Sequence, residues 1–140
     1  MIVLDTNVIS ELMRATPDPA ILSWLDARGD EAFALTAVSV AELRFGVLRL
    51  PSGRRRDLLG SALDSVIDED LGGRILPFDA EAAGAYASLA AERERTGQPL
   101  AMADGQIGAI CAVRDLPLAT RNGRDFLGLG VEVHDPWSRR

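Results

Sequence analysis

The sequence predicts an α/β domain of three layers, with a mostly parallel central sheet of about five strands flanked by helices. Three observations predict it. Short continuous apolar runs punctuate the chain, as expected of strands buried on both faces rather than one. Stretches of helical character separate each run from the next, and strand–helix alternation is the connection that parallel strands require. The length of 140 residues suits one hydrophobic core better than two, so residues 1–140 are read as a single domain.

Ile2, Val3 and Leu4 form the first run, closed by Asp5. Helices are expected near 7–14 and 18–28, before a second run at 33–36. The next helix, near 38–50, is apolar on two sides. Val40, Leu43, Val47 and Leu50 share one, while Val38, Ala41, Phe45 and Leu48 share the other. One side can cover the sheet. The other needs a second partner, either a neighbouring helix, the preferred expectation, or a second subunit across a two-fold axis. A long helix near 54–70 leads to a strand around Leu76, and helices near 80–96 and 101–114 precede strands at 118–120 and 131–133.

Composition excludes several chemistries. All fifteen Lys+Arg residues are arginine, so there is no lysine for a Walker-A loop, a Schiff base or a receiver-type phosphorylation site. One cysteine, Cys111, and one histidine, His134, cannot build a disulfide, a Cys-rich zinc site or a multi-histidine cage. Cys111 is expected in the core and His134 in a structural role. Catalysis is left to carboxylates, hydroxyls, amides and arginine, and any ligated metal must be a hard, oxygen-preferring cation such as Mg²⁺ or Mn²⁺. No apolar run approaches bilayer length and no basic leader precedes the first strand, so a cytoplasmic protein without a membrane anchor is expected.

In a parallel α/β sheet, strands end and the following helices begin on one edge, where residues from distant parts of the chain converge. Asp5 follows the first strand, Glu42 and Asp104 open helices, and Asp125 follows the strand ending at Thr120. Each has an ordinary alternative. Asp5 can cap a helix, Ser39 and Glu42 fit a capping box, Asp104 suits a helix dipole, and Asp125 suits a turn after Asn122–Gly123. Four acids on one predicted edge are a different matter. Such a cluster costs free energy unless protons or a cation neutralise it, and a divalent ion there activates water for attack on phosphorus.

The blocks VLDTNVISEL, SVAELRFGV, AMADGQIGAI and ATRNGRDF resemble, in order, the signature segments of PIN-domain ribonucleases. The resemblance is closest to VapC toxins of bacterial toxin–antitoxin pairs, in the FitB-like branch, and runs from near Ile2 to about Val133. It implies a PIN-like fold, a Mg²⁺ or Mn²⁺ site, and endoribonuclease activity held in check by a VapB-like antitoxin. Asp5, Asp104 and Asp125 are implied metal ligands, and Glu42 acts beside them either directly or through water. Thr6, Asn7, Thr120 and Asn122 match polar positions that support the acids or meet phosphate; backbone capping is the plainer alternative for Asn7 and Thr120. The resemblance further implies a homodimer, and assembly with the antitoxin on operator DNA.

A net charge of −6 is unusual for an RNA-binding protein, but the four acids account for most of it. Arg121 and Arg124 flank the expected site and are the first candidates for phosphate contacts. Arg54–Arg56 and Arg139–Arg140 are weaker ones, more simply explained as solvated. With 5% aromatic residues, base stacking is not expected to dominate recognition. Two alternatives stand beside the nuclease. One is an inactive PIN-like binding module. The other is a haloacid-dehalogenase-type phosphatase, disfavoured because Asn7 stands where its second acid belongs and lysine is absent.

Overall fold

The structure, a computed structural model, describes residues 1–138; Arg139 and Arg140 lie outside the described residues. Five parallel strands form one sheet: β1 (Ile2–Leu4), β2 (Phe33–Thr36), β3 (Ile75–Leu76), β4 (Leu118–Ala119) and β5 (Val133–His134), in the order β3-β2-β1-β4-β5. The expected α/β architecture is present. β1 is central, and all three of its residues are buried, which explains why it reads as an uninterrupted apolar run.

Alternation along β1 divides the core in two. Ile2 and Leu4 pack with Val8, Ile9, Ile21, Leu43 and Leu63, while Val3 packs with Ile107, Cys111, Phe126 and Leu129 on the opposite face. The helices that supply these layers are α1 (Thr6–Leu12), α2 (Pro19–Asp26), α3 (Ala37–Leu48), α4 (Arg54–Ser65), α5 (Ala80–Arg95) and α6 (Met102–Arg114). None is long and apolar enough to cross a membrane. Cys111 is buried in α6 as expected, and burial, with the charge of Asp5, pushes its thiol up to about 12.

Three local expectations need correction. The helix expected over 54–70 ends at Ser65 and continues as a π-type turn over Val66–Asp70, in which the Leu71 N–H reaches back to the Val66 carbonyl at 2.9 Å. That widening lets Val66, Ile67 and Leu71 all face the core. The cap of α3 is Thr36 rather than Ser39: the Ser39 N–H donates to Thr36 Oγ1 at 3.1 Å, so no Ser39–Glu42 capping box forms. Finally, among the described residues no neighbouring helix covers the whole second side of α3. Val38 packs into the core beside Leu76, yet Phe45 and Leu48 stand exposed.

Candidate active site

The carboxyl edge of the sheet opens into a cavity of about 420 Å³ lined by Asp5, Thr6, Asn7, Glu42, Asp104, Arg121 and Asn122, together with four further residues. Each acid arrives as its local structure dictates. Asp5 ends β1 and caps α1, accepting the Thr6 N–H on Oδ1 at 2.8 Å. Glu42 sits one turn into α3, where Thr6 Oγ1 donates to its Oε1 at 3.2 Å. Asp104 lies in the first turn of α6. Gly105 beside it permits a close approach, since a Cβ there would come within 2.7 Å of Leu100 and 2.8 Å of Tyr86.

Asp5 is the most constrained of the four. Its Oδ2 accepts the Thr120 hydroxyl at 2.7 Å, and Thr120 Oγ1 accepts in turn from Asn7 Nδ2 at 3.2 Å and from the Asn122 N–H at 3.0 Å. Asn7 Oδ1 accepts the Arg121 N–H at 3.3 Å. Thr120, fully buried behind Asp5, therefore ties the ends of β1 and β4 to the start of α1. Asn7 and Thr120 act between side chains as well as on backbone, so simple capping does not describe them.

Burial raises Asp5 above the usual carboxylate range, with hydrogen bonds from Thr120 and Thr6 opposing it and the charge of Asp125 adding to it. Asp104 is raised to about 6, first by burial and then by the charges of Asp5, Asp125 and Glu42. Four acids thus share one electrostatic field, as the sheet-edge argument requires. Asp125 sits in a 3₁₀ turn over Gly123–Phe126, exposed and outside the cavity lining, though near enough to act on both Asp5 and Asp104. Arg124 in that turn is likewise exposed and does not line the cavity.

Among the described residues, no three acidic, histidine or cysteine side chains converge tightly enough to hold a metal ion as they stand. Asp5 is turned toward its hydrogen-bond donors, the Thr6 N–H and the Thr120 hydroxyl. The donor chemistry nevertheless fits a hard divalent cation. Every acid present offers oxygen, and both the burial and the neighbouring charges that raise Asp104 are offset by a bound cation.

Four lining residues were not anticipated: Ser10, Glu11, Arg14 and Trp137. The first three continue the Asn7 face of α1 at helical spacing, a signal the sequence does carry. Glu11 is occupied structurally, accepting the Asp18 N–H at 3.0 Å and pairing with Arg14 at 3.4 Å. Trp137 follows the last strand and has no local signature. His134 lies away from the cavity, 3.5 Å from Glu132 and beside Trp24.

Comparison with known proteins agrees with this architecture. Residues 2–130 match the PIN domain. A VapC ribonuclease of Sinorhizobium fredii is 44% identical over 98% of both chains. The toxin FitB of Neisseria gonorrhoeae is 41% identical over 98% of this chain and 99% of its own. A solved structure of FitAB bound to a DNA fragment contains a chain that superposes with a TM-score of 0.88 at 38% identity, covering 100% of this chain and 98% of that one. The chain belongs to the PIN domain family, among the VapC and FitB toxins.

Proposed function

We propose that this protein is a Mg²⁺- or Mn²⁺-dependent endoribonuclease, the toxin of a toxin–antitoxin pair that acts in the cytoplasm. The observation that carries the proposal is the convergence of Asp5, Glu42 and Asp104 on one cavity at the carboxyl edge of the parallel sheet, with Asp125 on the turn beside it. Asp5, Asp104 and Asp125 would hold the metal. When bound, the ion supplies a Lewis acid and an activated water for attack on phosphorus.

The remaining steps belong to the chain. Thr120 and Asn7 fix the Asp5 carboxylate. Glu42, held by Thr6, faces the cavity and takes a proton from the attacking water. Arg121 and Asn122 meet the phosphate, and Arg124 contacts RNA beyond the cavity. Hydrolysis joins the water oxygen to phosphorus and breaks the bond from phosphorus to the ribose oxygen, which leaves as a hydroxyl after taking up a proton from solvent.

An acidic cavity attracts a cationic side chain in trans, the chemistry expected of an antitoxin that blocks it. Beside the cavity runs an apolar groove between α1 and α4, lined by Met13, Leu58, Leu59 and Ala62 with Arg54 and Arg55, suited to an antitoxin segment. A DNA-bound FitAB structure supports assembly on operator DNA through the antitoxin. The exposed Phe45 and Leu48 support a homodimer.

The test is cleavage of total and transfer RNA by antitoxin-free protein with Mg²⁺ or Mn²⁺, beside EDTA and Asp104→Asn controls. Metal-dependent cutting is expected, reduced at least about 100-fold in the variant, since a metal supplies several kcal/mol to the transition state. Folded protein that binds Mn²⁺ but neither cuts RNA nor arrests growth when expressed alone would favour an inactive binding module.

A further inference from the structure

Trp137 lies beyond the last strand and outside residues 2–130, yet it lines the acidic cavity. Its backbone N–H donates to Asp135 Oδ1 at 2.9 Å, and the Ser138 N–H donates to the Asp135 carbonyl at 3.1 Å, so a tight turn after β5 fixes its position. One part of the indole packs on the core cluster of Ile2 and Leu4. Its Nε1 is buried there without a hydrogen-bond partner among the described residues, a cost that a phenylalanine would not carry. What the indole supplies in return is the best cation-binding face of any side chain, and the Arg121 guanidinium sits 4.8 Å from its centroid.

The charge arrangement gives this stack a use. Among the described residues, two arginines line the cavity. Arg14 is paired with Glu11, whereas Arg121 makes no ion pair among the described residues although Asp5, Glu42 and Asp104 share the same cavity. The Arg121 backbone is anchored by Asn7 and its side chain is exposed. An arginine paired to Asp104 would occupy an oxygen that a cation needs and would lose its own attraction for phosphate. Stacking on an uncharged aromatic face keeps both groups free.

We infer that Trp137 is a positioning residue: its indole holds the Arg121 guanidinium at the mouth of the acidic cavity, off the carboxylates, where it receives a phosphate group of the RNA. The inference rests on the nuclease proposed above. Trp137 acts through Arg121 and binds no substrate atom itself.

The experiment is a double-mutant cycle on the Mn²⁺-loaded protein, using an RNA oligonucleotide that spans a cut mapped in total RNA. Arg121→Gln and Trp137→Ala are each expected to raise KM about tenfold, with kcat changed much less, and the double variant is expected to match either single one. Trp137→Phe retains packing and a weaker face, so its KM falls between, and it keeps the test open if Trp137→Ala unfolds. Mn²⁺ affinity, measured directly, is expected to stay unchanged in all of them. An unchanged KM in Trp137→Phe and Trp137→Ala, or KM increases that multiply in the double variant, would overturn the inference while leaving the nuclease intact. No cutting of total RNA by wild-type protein would overturn the nuclease, and this inference with it.

Discussion

The Thr120 hydroxyl donates to Asp5 Oδ2 at 2.7 Å across 115 residues of sequence, joining the ends of two adjacent parallel strands at the acidic cavity. That single oxygen also accepts from Asn7 and Asn122, so one buried atom fixes the orientation of the first acid and of the loop that leads to the last.

Thr120→Val keeps the side-chain shape and removes all three bonds. Loss of a partner that orients a metal ligand typically costs about 10–100-fold in metal affinity or activity, and a drop in that range is expected here. Thr120→Ser retains the hydroxyl and is expected to stay close to wild type. Mn²⁺ titration and RNA cleavage measured on both variants check this. Equal behaviour of Val and Ser would show that the hydroxyl is not what matters.

The acids were legible because parallel topology forces them together: Asp5, Glu42 and Asp104 reach one cavity from elements that are far apart in sequence. The capping partner of α3 was less so, because Thr36 and Ser39 both suit a helix start and only the end of β2 decides between them. The π-type turn at Val66–Asp70 was not legible, since a helical hydrophobic pattern runs through it and one inserted residue shifts hydrogen bonding without changing composition. Trp137 was invisible for a different reason. Its place depends on β5 pairing with β4, a long-range contact that no local pattern encodes.

Asp104 predicts an inverted pH response in the metal-free protein. Its folded value of about 6 lies above its ordinary 3.8, so between these limits the folded state binds more protons than the unfolded one. Stability from this group therefore falls as pH rises through that window and is lowest above about 6. Asp5, also raised, acts in the same direction. Thermal melts without metal should show wild type gaining Tm relative to Asp104→Asn on moving from neutral pH to about 5. Cation binding requires loss of that proton, so Mn²⁺ affinity should weaken roughly tenfold per pH unit below the Asp104 value. Melts in which the two proteins move in parallel would remove Asp104 as the cause.

The second side of α3 sets the last prediction. Phe45 is 65% exposed and Leu48 60%, one turn apart, with Arg49 near the Phe45 ring. Singly exposed apolar residues are ordinary, but two large ones on one helix, at positions patterned for burial, call for a partner. A second copy related by a two-fold axis supplies the same residues in return, because such an interface is self-complementary. Phe45→Glu with Leu48→Glu places like charges at that axis without disturbing Leu43, which is buried on the opposite side of the helix. Sedimentation should find wild type dimeric and the double variant monomeric. Because both positions are exposed within one chain, the intrinsic stability of the monomer should change by no more than about 0.5 kcal/mol. A wild-type monomer at high concentration would remove the dimer, an unchanged dimer in the double variant would place the interface elsewhere, and either result would leave these two side chains without a partner.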